Sequence, residues 1–464
     1  MFNHKKPVFW TDEEGKIKIS HSKLIDFIGE CGYIRVKLSD TSYLLANLRN
    51  NRLRRSSEGE IVKLIKDFLV KNEPDLLEDY TRNVGSYLSS KKMELLETIE
   101  LINDRDETTS SNFFFLNYFC QVTATDINIL DYNQLNSPIW ENRILNHEFN
   151  KPNDENGQFE NFCKNIAGND ETRFKALKSL IGYLLHRNKD KGEPKAVILY
   201  DEKMGTNNQA HGGTGKSLLS EGIKKCREVV IFNAKEIKVG SWFINQRIDP
   251  TTDLIVYDDL KKDFAFEHFF SIITGGIEVE KKRQTSFYIE QSKSPKILIS
   301  SNYYVKGPGG SSDERRRYEF EIANYYDEDL TPEIEFGNRF FYGWDATEWN
   351  KFYHFMMSCT QEYLKEGLVK LENINLQKLK AEQRTSQEFI EFATAYINFN
   401  ERLDKREYLK IFQELYPGHE NLSPHKFTKW LADFAIDNDS QYNAYSSGGN
   451  YYFEINRKVV KDAS

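Results

Sequence analysis

The residues best suited to chemistry lie in one short stretch, His211-Gly212-Gly213-Thr214-Gly215-Lys216-Ser217. An apolar run, Ala196-Val197-Ile198-Leu199-Tyr200, precedes it, and Leu218-Leu219-Ser220-Glu221-Gly222-Ile223 follows. Strand, glycine-rich loop and helix in that order make a phosphate cradle. Glycines let backbone N–H groups converge on anionic oxygens, and the helix N-terminus adds a favourable dipole. In such a cradle Gly212, Gly213, Thr214 and Gly215 wrap the phosphates, Lys216 reaches the β- and γ-phosphates, and the Ser217 hydroxyl ligates Mg²⁺. The pattern G-x-x-x-x-G-K-[ST] asks for glycine at position 210, where Ala210 stands. Gly212 and Gly213 can supply the missing backbone freedom.

Further along, Leu254-Ile255-Val256-Tyr257 ends in Asp258-Asp259. Consecutive apolar positions suit a parallel strand covered on both faces. Carboxylates at its carboxyl end sit where such sheets bind ligands. Alone, an aspartate pair ending a strand is more often a turn or a helix cap. In register after a phosphate loop it is a Walker B pair: one carboxylate, Asp258 or Asp259, helps hold Mg²⁺ with Ser217, the expectation being Asp258, and its neighbour orients or deprotonates water. Lys296-Ile297-Leu298-Ile299-Ser300-Ser301 then ends in Asn302, whose amide can reach a terminal phosphate or the attacking water. Three arginines follow, Arg315-Arg316-Arg317, among the acids Asp313, Glu314 and Glu319. One of them could reach a neighbouring subunit's nucleotide as an arginine finger, although an isolated basic run is more often a solvated patch. Between the third and fourth strands, a hairpin is expected to carry Lys281, Lys282 and Arg283, cations that suit backbone phosphates without reading bases.

The elements that must hold these groups are legible from periodicity. Val229-Val230-Ile231-Phe232 is a further strand, and Phe159 to Leu185 reads as helical, with Leu177, Leu180, Ile181 and Leu184 on one face. Ahead of this lie short strands and helices with no catalytic constellation. Arg49, Arg52, Arg54 and Arg55 form a basic knot there, a solvated loop or a contact for a phosphate backbone. Past Arg384, helices are expected near 389–396, 405–415 and 425–434. Ser423-Pro424 starts the third. A hairpin turning at Ser446-Ser447-Gly448-Gly449 completes the order of a winged helix. Asp433, Asp437 and Asp439 beside the third helix keep a protein-binding role open.

Composition bounds the function. The 464 residues carry a net charge of −8, which excludes a chain that coats nucleic acid by bulk electrostatics and directs attention to local basic groups. The five cysteines are scattered, with no C-x-x-C spacing, and read as buried thiols in a reducing cytosol. No apolar run approaches a membrane span, and the N-terminus lacks a signal-peptide core, so no membrane partner and a cytoplasmic location in a bacterial host are expected.

The order of phosphate loop, second strand, Walker B pair, basic hairpin, asparagine-ended strand and arginine run resembles the superfamily 3 helicases, within the AAA+ ATPases. Phe9-Trp10, the run to Ile139-Trp140, Asp201-Glu202, Lys281-Lys282, Ser294-Pro295-Lys296 and Thr331-Pro332-Glu333 are similar to the helicase part of phage and mobile-element primase-helicases, poxvirus-type relatives included. The resemblance implies an α/β architecture. An α+β accessory domain (1–150) would precede a helical lead-in (151–190), an AAA+ P-loop NTPase core (191–370) and a winged-helix-like domain (385–464). It implies ATP and Mg²⁺ as cofactors, Asn302 as sensor, Lys281 and Lys282 as the channel hairpin, and Arg316, the middle of its run, as finger. It further implies a ring, usually a hexamer, that translocates on single-stranded or forked DNA, with a separate primase or replisome protein as partner. No primase motif is evident, so none is expected in this chain. The rival readings are an ATP-gated origin-binding initiator or DNA-binding switch with little unwinding, and an ATPase that remodels a protein partner. The basic hairpin favours DNA over the last.

Overall fold

The computed structural model describes residues 8–13, 16–38, 43–101, 105–153, 155–202, 213–237, 245–262, 264–282, 286–371, 376 and 385–457. The chain forms two compact units, one of residues 1–201 with 211–371, the other of 202–210 with 372–464.

At the heart of the first unit is a five-stranded, all-parallel sheet. Its spatial order is Val229–Asn233, Leu254–Asp258, Lys296–Ser300, Ala196–Asp201, Arg317–Ile322, or 2-3-4-1-5 in order of appearance. All residues of Ala196–Asp201 and Lys296–Ser300 are buried, because helices and loops cover both faces of the sheet. The fold is thus mixed α/β around a parallel sheet, and the first strand to appear lies between the fourth and the fifth. The carboxyl ends of Ala196–Asp201, Leu254–Asp258 and Lys296–Ser300 therefore emerge side by side.

The helical run expected over Phe159 to Leu185 is two helices, Gln158–Ile166 and Glu171–Leu185. Gly168 and Asn169 take φ of +76° and +55°, and Asp170 caps the second helix by accepting the Arg173 N–H at 2.8 Å. Apolar periodicity runs through such a break unchanged, because both helices face the same core. The first of them seats the glycine-rich loop. A Cβ at Gly215 would stand 2.9 Å from the Phe162 ring, and one at Gly222 would stand 2.3 Å from that of Phe159.

Ahead of these helices, a five-stranded sheet in the order Ile139–Trp140, Arg52–Arg55, Tyr43–Arg49, Tyr33–Lys37, Thr98–Glu100 packs with helices His21–Glu30 and Glu58–Asn72. The antiparallel strands Ser110–Phe114, Phe119–Thr123 and Ile127–Leu130 join the central core instead. Phe113, Phe115, Cys120 and Phe149 share one apolar cluster with Leu180, Val256 and Met356, so that core crosses residue 150. Two of the four arginines of the basic knot form ion pairs, Arg54 with Glu60 and Arg55 with Asp249, each at 2.5 Å.

The second unit holds helices Gln387–Tyr396, Lys405–Leu415 and Pro424–Asp437, then the hairpin Ser440–Ser447 with Asn450–Arg457. The turn is tighter than expected: Ser446 and Ser447 remain in the strand. Gly448 and Gly449, at φ of +58° and +79°, make the reversal alone, as a type I′ turn requires. A two-residue strand, Leu403–Asp404, pairs with the far side of the hairpin and is too short to leave a periodic signature. Among the described residues no helix is long and apolar enough to cross a membrane.

Candidate functional site

The glycine-rich loop leads into helix Lys216–Lys224, with Gly213 and Gly215 at φ of +101° and +110°. L-residues with a side chain rarely adopt that geometry, so glycine is required where the loop closes onto the helix N-terminus. Lys216 and Ser217 occupy the first two helical positions, and Ser217 is exposed. His211, Gly212 and the departure at Ala210 lie outside the described residues.

Side chains from three strand ends converge on this loop. Asp201 is buried at the end of the first strand, and its carboxylate accepts from both the Thr214 hydroxyl and the Lys216 ammonium. The Lys216 ammonium also donates to Asn302 Oδ1 at 3.0 Å, and Asn302 Nδ2 donates to Asp259 Oδ1 at 3.3 Å. Asp259 takes φ of +58°, a left-handed conformation that aspartate tolerates better than most residues. Its backbone N–H donates to Ser300 Oγ at 2.9 Å, and Ser300 Oγ donates to Asp258 Oδ1 at 2.6 Å. Lys235 forms an ion pair with the outer oxygen of Asp259. That hydrogen bond holds its ammonium above the usual lysine range.

The expected loop, aspartate pair and asparagine thus line one cleft of about 870 Å³, together with Ser300, Glu221 and Lys224. The roles of two of its organisers were not evident in the sequence. Asp201 lies 15 residues before the lysine that it holds. Ser300 is one of two adjacent serines at a strand end and carries no motif signal. The opposite wall is Thr331–Tyr342. Thr331 caps the short helix Pro332–Phe336, and Glu335 ties that helix to the lead-in by accepting from Asn165 at 3.0 Å and from the Tyr326 hydroxyl at 2.5 Å. Phe341 there has φ of +68°, a strained conformation for an aromatic residue, of order 1–3 kcal/mol.

Chemically, the donor set fits a triphosphate carrying a divalent cation. It combines a helix N-terminus, an ammonium, a hydroxyl and two carboxyls. Among the described residues no group of three or more His, Cys, Asp or Glu could hold a metal by itself. Ser217 and Asp258 would each add a ligand to a Mg²⁺ ion that keeps waters and phosphate oxygens as the rest of its shell. The Asp201–Lys216 ion pair holds the lysine where it lines the cleft.

The other expected site residues lie elsewhere. Strands Ile277–Val279 and Phe287–Ile289 form the basic hairpin. Lys281 leaves only 15% of its side chain exposed and pairs with Asp249 at 2.7 Å, while Arg283 lies outside the described residues. Lys282 is exposed. None of the three arginines lines the cleft. Arg317 is buried, bonded to Asp313 at 2.9 Å and Glu319 at 3.0 Å, with its guanidinium 4.5 Å from the Phe266 ring centre. Arg316 donates to the Ser312 carbonyl at 2.5 Å and lies 4.6 Å from the Phe270 ring centre. Arg315 is exposed and makes no side-chain hydrogen bond or ion pair among the described residues.

No family model and no curated protein matches the chain. Among solved structures, it is similar to the apo A form of the NrS-1 C-terminal region, at 12% identity and a TM-score of 0.40, covering 94% of this chain and 99% of that one. A second structure of that region, residues 305–718, gives 12% identity and a TM-score of 0.43 over 93% and 98%. A crystal structure of JCV Helicase bound to a substituted N-phenylacetamide gives 14% identity and a TM-score of 0.27 over 45% of this chain and 53% of that one.

Proposed function

We propose that the chain is an ATP-dependent DNA helicase of the AAA+ superfamily 3 type, serving a phage or mobile element. In this reading it works as a ring on single-stranded or forked DNA. The observation that carries it is the convergence of Lys216, Asp258, Asp259 and Asn302 in one cleft at a helix N-terminus. When bound, ATP with Mg²⁺ would supply the phosphoanhydride whose cleavage drives movement. The chain's own residues divide the remaining work. Lys216 neutralises phosphate charge, Ser217 and Asp258 hold the ion, Asp259 takes a proton from water, and Asn302 orients that water. In this reading a neighbouring copy completes the site with an arginine of the run 315–317.

A second reading, an ATP-gated DNA-binding switch with little unwinding, is favoured by the Lys281–Asp249 ion pair, which keeps one hairpin cation off any strand. ATP turnover and unwinding of a forked duplex by the purified chain, Lys216→Ala, and Lys281→Ala with Lys282→Ala separate the readings. A helicase loses turnover in the first variant. It loses unwinding and DNA-stimulated turnover, but not basal turnover, in the second. Unchanged hydrolysis in Lys216→Ala would sink the site. DNA-dependent turnover with no unwinding in the unaltered chain would favour the switch.

A further inference from the structure

The cleft has an end that the phosphate chemistry leaves unused. Beyond the glycine-rich loop it continues to Thr331–Tyr342, where Arg339-Phe340-Phe341-Tyr342 places three aromatic rings in a row. Two of them turn inward: Phe340 and Phe341 are 3% and 8% exposed, packed against Phe159 and Trp344. The third turns outward, with Tyr342 73% exposed. The backbone turns between the second ring and the third, with Phe341 at φ of +68°. An exposed tyrosine on a protein surface is ordinary by itself. Here it lines the same cleft as the phosphate loop, on backbone held in an unfavourable conformation, and strained backbone concentrates at ligand clamps.

Cations frame this ring. The Arg339 guanidinium lies over its face, 4.7 Å from the centre, and the Lys225 ammonium also lies over it at 5.7 Å. Arg339 also meets Glu333 at 3.6 Å, with both side chains well exposed. A tyrosine face capped by a planar, multiply donating guanidinium suits a nucleobase, which takes the guanidinium's place on the ring and offers ring nitrogens and carbonyl oxygens to it at the edge.

We propose that Tyr342 and Arg339 form the nucleobase platform of this cleft and set its preference for purines over pyrimidines. The base stacks on Tyr342 while the phosphates lie at Gly213–Ser217. A purine covers more of the ring than a pyrimidine does, and so gains more from the contact. This assignment rests on the phosphate-site reading above, and its test separates the two. Binding of ATP, CTP and inorganic tripolyphosphate, each with Mg²⁺, is measured by calorimetry on the full chain and on Tyr342→Ala, Tyr342→Phe and Lys216→Ala. The Tyr342 side chain is largely exposed, so its truncation leaves the core packing in place.

The full chain is expected to favour ATP over CTP. Tyr342→Ala is expected to weaken ATP about tenfold, the scale of one base stacked on one aromatic ring. It should bring ATP and CTP close together and leave tripolyphosphate as in the parent chain, while Tyr342→Phe keeps the preference. Unchanged ATP affinity and ATP-to-CTP ratio in Tyr342→Ala overturn the platform, even if that variant changes subunit association. Tripolyphosphate binding that survives Lys216→Ala overturns the phosphate site, and the platform with it.

Discussion

Ser300 stands between the two strand-end carboxyl residues. Its hydroxyl donates to Asp258 Oδ1 at 2.6 Å and accepts the backbone N–H of Asp259 at 2.9 Å. One hydroxyl from the neighbouring strand therefore orients the proposed metal ligand and holds the left-handed turn that aims the proposed base. Ser300→Ala removes both bonds without changing the charge in the cleft. Turnover should fall about tenfold to a hundredfold, the scale of a misplaced catalytic group, with KM for ATP nearly unchanged. Steady-state ATPase kinetics check this. A rise in KM at constant kcat would instead assign Ser300 to substrate binding.

The arginine run divides by burial. Arg317→Ala leaves Asp313 and Glu319 without their buried partner and should cost about 3–5 kcal/mol, seen as a marked drop in Tm. Arg315→Ala should leave Tm unchanged and lower only turnover. If Arg315 acts on a neighbour's nucleotide, mixing it with Lys216→Ala should restore part of the activity at mixed interfaces. Arg316 was the finger expected by its position in the run. Its bonds to Ser312 and its place beside Phe270 make it the less available of the two cations not buried in the core.

Under the proposed function, Asp249 competes with DNA for the hairpin. It pairs with Lys281 at 2.7 Å and Arg55 at 2.5 Å. Asp249→Asn releases both cations and should raise affinity for single-stranded DNA several-fold, with a steeper salt dependence because more cations are free to displace counterions. Fluorescence anisotropy at two salt concentrations measures both. Unaltered affinity and slope would place the DNA path away from Lys281.

His186 makes stability depend on pH. Burial, reinforced by Lys296, pushes its imidazole down to about 4. Nε2 lies 2.8 Å from the Glu107 carbonyl, and Nδ1 has no hydrogen-bond partner among the described residues. The unfolded chain takes this proton near pH 6.5 and the folded chain only near 4, so protons favour unfolding between those values. The contribution is complete above pH 6.5 and fades as the pH falls toward 4, by about 3 kcal/mol in all. His186→Gln keeps a donor for the Glu107 carbonyl and titrates nowhere in this range. Its Tm should fall less steeply between pH 7 and 5 than that of the parent chain.

Much of this architecture could be read from the residues, for a physical reason. Parallel strands buried on both faces appear as unbroken apolar runs, so Ala196–Tyr200, Leu254–Tyr257 and Ile297–Ile299 announce themselves, and the polar residues ending them mark the cleft. What could not be read depends on spatial neighbours. The sheet order that sets Asp201 against Lys216 has no local signature. Ser300 becomes an organiser only because its strand lies beside Asp258. The break at Gly168-Asn169 hides inside a periodicity that both helices share. The cations were visible, but their partners were not: Lys281 meets Asp249 across a sequence separation that no pattern reports.

The lead-in and the strands before it are also joined to the sheet by charge. Asp106 accepts from the Arg187 guanidinium at 2.8 Å and from its backbone N–H at 2.8 Å. Burial alone would raise this carboxyl, yet Arg187 and Arg227 hold it well below the usual range. In the other direction, Arg105 and Arg143 reach Asp253 at 2.7 and 3.1 Å. A fragment beginning at residue 151 would keep Arg187, Arg227 and Asp253 in the interior and discard the charges that neutralise them. The parallel sheet and its cleft are therefore not a detachable cassette. Shortening the chain from its front to isolate the central sheet would yield insoluble material.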